Sequence, residues 1–192
     1  MGIFDRLKGR AERKESGSSR TQGTPGSLLQ ELIAVYGLKK AKPYEPSIVQ
    51  DWWEGTAGVQ RFAILEYGDK LTVYLGEITE ITEIYLVRRG PQDPFPPEGS
   101  PTRLDRIVGA GALAKEFFLA AYPNGDFDYP QLRRPGVLQS LPLLSPSVSE
   151  LMICDNFRGL SFITSGSVTR EVFDRDLHIA SDLVKALEEP PH

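Results

Sequence analysis

This sequence predicts an α+β protein built on an antiparallel sheet, on three observations. Short apolar runs follow one another from Ile48 to Arg88, split by glycine-containing turns. A second pair of runs, Glu150 to Cys154 and Gly159 to Thr164, has the spacing of another hairpin. Amphipathic helical stripes begin near Ser27 and near Thr169, on either side of these strands. Strands joined by tight turns pair antiparallel, whereas parallel sheets need strands alternating with helices, an alternation this chain lacks. The expected architecture is an antiparallel meander sheet plus a second hairpin, flanked by an N-terminal and a C-terminal amphipathic helix.

Residues 1–26 read as a basic amphipathic segment and a flexible linker, and 27–189 as a single α+β domain. In the first segment Ile3, Phe4 and Leu7 share a helical face, while Arg6, Lys8, Arg10, Arg13 and Lys14 dominate the rest. The following ESGSSRTQGTPG has too little apolar surface to offset the entropy of ordering. Phe4 and Leu7 are candidate partner-binding residues, for a docking protein or a weak membrane-surface contact.

Ser27 and Gln30 make a capping-box pair, and Leu28, Leu29, Leu32, Ile33 and Tyr36 form the stripe of a helix of about ten residues. Gly37 and Leu38 have the form of a Schellman stop. Four strands are then expected: Ile48–Glu54, Val59–Tyr67, Leu71–Leu75 and Ile81–Arg88, the first two joined by a turn at Gly55–Gly58. A helix at Ile48–Glu54 is the competing reading.

GPQDPFPPEGSP (90–101) is a Pro-rich loop. Across 103–122, Leu104, Ile107, Val108, Leu113 and Phe117 favour a helix, although Phe117, Phe118 and Leu119 also suit a short strand. One or two short helical turns are expected around Pro135. The last helix should start near Thr169, with Val168 and Phe173 as a hydrophobic staple, and continue through Leu177, Ala180, Leu183, Val184 and Leu187. Its carboxylates, Glu171, Asp174, Asp176 and Asp182, read as a solvated face.

Composition bounds the function. The chain has 192 residues, enough for one core plus a tail, and its formal net charge of −4 gives nucleic acid no electrostatic reason to bind. Cys154 is the only cysteine, which suits a reducing compartment. No apolar stretch approaches the roughly 20 residues of a bilayer span. The charged first residues do not resemble a signal peptide, so a cytoplasmic location is expected.

Few groupings invite chemistry. Val108-Gly109-Ala110-Gly111-Ala112-Leu113-Ala114 matches G-x-G-x-x-A, in which Gly109 and Gly111 would let a dinucleotide pyrophosphate approach backbone N–H groups. It follows a Pro-rich loop instead of a buried strand, so a turn that needs small residues is the simpler account. Asn124, Asp126 and Asp128 open like a calcium loop, but Tyr129 and Pro135 stand where Gly and Glu are required. His178 and His192 are the only histidines, too few with one cysteine for a zinc site. A Cys154–His178 nucleophile pair has Asp155 beside the thiol, which works against a thiolate. No catalytic residue, cofactor or metal is therefore expected. Trp52 and Trp53 are the two tryptophans; adjacent on a strand, they point to opposite faces, and either is a candidate for contacting a partner.

In element order the chain resembles the small α+β modules of the type III secretion chaperone and YbjN-like group. Ser27–Leu38, Val59–Arg88 and Glu150–Leu187 carry the likeness, the last running from a hairpin directly into a long amphipathic helix (LMICDNFRGLSFITSGSVTREVFDRDLHIASDLVKALE). The resemblance implies a non-catalytic, chaperone-like adaptor of bacterial type that binds a protein partner, with a homodimer as a further expectation. The alternative is a nucleotide-dependent enzyme using the Gly109 and Gly111 loop.

Overall fold

Alternation along the strands sorts this protein into one sheet with two unlike faces. The computed structural model describes residues 28–41, 51–76, 84–90, 116–119, 130–154 and 159–188. Its strands are β1 (Lys39–Ala41), β2 (Trp52–Ala57), β3 (Gln60–Tyr67), β4 (Lys70–Leu75), β5 (Ile84–Arg88), β6 (Phe117–Leu119), β7 (Val148–Cys154) and β8 (Gly159–Ser165). They form one eight-stranded sheet in the order β1-β2-β3-β4-β8-β7-β5-β6, and every pairing is antiparallel. The helices are α1 (Leu28–Tyr36), α2 (Pro135–Ser140) and α3 (Arg170–Glu188), with 3-10 turns at Pro130–Arg133 and Leu141–Leu143. This is the α+β architecture that the sequence predicts, with the N- and C-terminal helices packed against the sheet.

The first face is a continuous apolar layer. Ile64, Val73, Phe162, Leu151, Leu86 and Leu119 lie in register across it, with a parallel row of Phe62, Leu75, Leu160, Ile153 and Ile84. These residues share one buried cluster with Leu28, Leu29 and Leu32 of α1, Val137 of α2, and the whole expected stripe of α3. All the described helices therefore cover the same face.

Local chemistry sets the helix limits. Gly37 has φ 61°, and the Leu38 N–H donates to the Ile33 carbonyl at 3.1 Å, the long bond of a Schellman motif. Val168 packs against the core cluster to which fully buried Phe173 belongs, and the Phe173 N–H reaches the Thr169 carbonyl, an arrangement compatible with the expected staple. At the other end of α3 the Arg134 guanidinium donates to the carbonyls of Ala186 (3.3 Å) and Leu187. A cation there satisfies orphan acceptors and complements the helix dipole. Gly136 permits the close crossing of α2 and α3: a Cβ on it would lie 2.8 Å from the Ala186 Cβ.

Four details depart from the sequence-based expectation. The turn placed at Gly55–Gly58 is shorter, because β2 continues to Ala57 and only Gly58 and Val59 turn. Gly55 stays in the strand since its bare Cα leaves room for the Leu38 side chain. The strand ending at Arg88 does not complete the meander beside β4. β8 takes that place, and its seven residues are buried at every position but the last, as a central strand's must be. Phe117–Leu119 form β6 in place of part of a helix, with Phe117 and Leu119 facing the core. Asp176, read as solvated, is completely buried. It lies three residues after Phe173 and four before Ala180, inside the apolar stripe.

Among the described residues both edge strands of the sheet are short. β1 has three residues with Lys39 and Lys40 exposed, and β6 also has three. Lys40 pairs with Asp51 at 2.6 Å on the surface, a contact worth little to stability.

Leu183 is 1% exposed in the middle of the α3 stripe. Leu183→Ala is expected to cost about 2–5 kcal/mol in urea unfolding, the loss that follows a buried cavity. A near-neutral result would show that α3 does not cover the sheet.

Candidate functional site

The second face of the sheet is the candidate site. Trp52, Leu65, Thr72, Ile163, Glu150, Val87 and Phe118 line up across it from β2 to β6. The adjoining row is Glu54, Ala63, Tyr74, Ser161, Met152 and Tyr85. An antiparallel sheet with a solvated face alternates apolar and polar residues; here both faces are largely apolar. Trp52, Ala63, Met152 and Ile163 are buried yet stand apart from the cluster that the helices cover.

Aromatic and acidic groups organise this face. The Trp52 and Tyr74 rings stand diagonally across β3, 4.8 Å between centroids and tilted by 33°. The indole Nε1 of Trp52 donates to the Glu54 carboxylate at 2.8 Å, two residues along the same strand. Tyr85 donates its hydroxyl to the Glu150 carboxylate of the neighbouring strand. The Arg89 guanidinium lies 5.7 Å from the centre of the Phe118 ring. Between Tyr74 and Met152 the Ser161 hydroxyl, in a residue 1% exposed, has no hydrogen-bond partner among the described residues. This face is thus mainly apolar, with a few oriented polar groups.

The two tryptophans do point to opposite faces. Trp52 belongs to the second face, whereas Trp53 is half-buried at the rim of the helix-covered core. Phe4, Leu7, Gly109 and Gly111 lie outside the described residues, as do Asn124, Asp126 and Asp128. Cys154 ends β7, and His178 is on the solvent side of α3, its side chain 79% exposed and 3.6 Å from Asp182. Tyr74, Tyr85, Met152 and Ile163 were missed by sequence reasoning. Their signal was the second parity of the same strands, which becomes a surface only once the strand order is known.

Buried ionisable groups elsewhere hold elements together. Asp176 accepts the Ser145 N–H at 2.9 Å and the Ser145 hydroxyl. Thr164 donates to Ser147 at 3.3 Å, and Ser147 lies against Ser145, so the hydroxyls form a chain that ends on the carboxylate. It ties α3 to the start of β7. Arg88 spreads its guanidinium over the carbonyls of Leu144, Ser145 and Val148 and the carboxylate of Glu116, at 2.7–3.0 Å, with its Cζ 4.4 Å from the centre of the Phe117 ring. Such a fork can be made by arginine and not by lysine. Among the described residues no three His, Cys, Asp or Glu side chains come together as a metal site.

The joint between α1 and α3 titrates. Tyr36 donates to Asp174 at 2.8 Å and meets the Phe62 ring edge-on at 5.3 Å. Burial first, then the hydrogen bond and charge of Asp174, push its phenol up to about 12. At the start of α3, backbone and Thr169 hydrogen bonds hold the exposed Glu171 carboxyl below its usual value.

Asp176→Ala leaves the buried Ser145 N–H without its acceptor. It is expected to destabilise by at least about 1–3 kcal/mol in urea unfolding, the cost of one such group. Tyr36 gives a pH test. A phenol whose folded pKa lies above the unfolded 10.0 adds stability that is complete below pH 10 and lost as pH rises towards 12. Tyr36→Phe is therefore expected to flatten the fall of stability across that window in alkaline unfolding curves. An unchanged slope would show that the phenol is not held by Asp174.

Comparison with known proteins bears on the fold alone. No family model matches the chain, and no curated protein matches it. Among solved structures, the crystal structure of the mycobacterial trehalose monomycolate transport factor A, TtfA, is similar. Its TM-score is 0.50 at 11% identity, over 81% of this chain and 90% of that one. At that identity the likeness extends to the arrangement of helices and strands and no further.

Proposed function

We propose that this protein is a non-catalytic, chaperone-like adaptor that binds another polypeptide in the cytoplasm. The second face of the sheet carries this reading: Trp52, Leu65, Tyr74, Val87 and Phe118 make it apolar although the described helices all lie on the first. Trp52 is already buried and Leu65, Tyr74, Val87 and Phe118 are half-buried, so a partner would cover the part that remains accessible, at about 25 cal/mol for each Å² removed from water. Glu150 on this face is engaged with a tyrosine, and Asp176 and Arg88 on the helix-covered side are engaged with serine and backbone partners. That supports a framework role over a catalytic one. The likeness in element order to the type III secretion chaperone and YbjN-like group points the same way, with a second copy of the chain among the candidate partners.

A photo-crosslinking amino acid at position 65, in the full chain expressed in its native host, tests this reading. The expected product is an adduct with a separate polypeptide, absent when the probe replaces His178 on the solvent side of α3. Crosslinks from position 65 that are solely intramolecular would overturn it. The enzyme alternative rests on the G-x-G-x-x-A string at Gly109 and Gly111. Thermal unfolding is expected to be unmoved by NAD, NADP, ATP or S-adenosylmethionine. Stabilisation by one of them, abolished by Gly111→Val, would establish that alternative.

A further inference from the structure

We draw no further inference here: the strongest candidate, the second face of the sheet around Trp52, Tyr74, Ser161 and Met152, is already the surface on which the proposed function rests, and nothing in the structure shows what covers it.

Discussion

The packing of α3 on the inner side of β4, β8 and β7 is the constraint to which the other features answer. Phe173, Leu177, Ala180, Leu183, Val184 and Leu187 all join the cluster made by Val73, Phe162 and Leu151. Once that layer is closed, strand parity leaves no choice about the opposite side. A one-residue slip of any strand would exchange the two sets of side chains. The second face is thus a by-product of the first in position, but not in composition. Nothing about the α3 contact requires Trp52, Tyr74 or Met152 to be apolar.

Polar groups enter the interior where regular elements end. The hydroxyl chain from Thr164 to Asp176 and the Arg88 fork converge on residues 144–148, between the 3-10 turn and β7. The carbonyls of Leu144, Ser145 and Val148 accept the Arg88 guanidinium there, and a buried carbonyl without a donor is costly. Arg134 does the same for the end of α3. These charges and hydroxyls serve the backbone and the joints between elements.

Local elements were legible in the sequence because their causes are local. The Schellman stop at Gly37, the staple of Val168 with Phe173 and the α3 stripe follow from residues within a turn or two of one another. Strand order was not legible in this way. Neighbours in sequence usually pair, yet β8 displaces β5 beside β4, and only the burial of both its faces gives the reason. Asp176 was misread through residue type: its position in the α3 period marked it as internal, but a carboxylate was assumed to seek water. The candidate site was half legible. Trp52 and Trp53 announced two faces, whereas Tyr74, Tyr85 and Met152 come from three different strands and meet only in the folded sheet.

The brevity of the two outermost strands has a consequence for how the molecule behaves in a crowd. A long ladder of unpaired backbone would recruit further chains side by side, and a greasy sheet surface would add to that tendency. Three residues at each border, two of them lysines on one side, offer an incoming strand almost nothing to grip. Among the described residues, sideways growth of the sheet is therefore disfavoured at both borders.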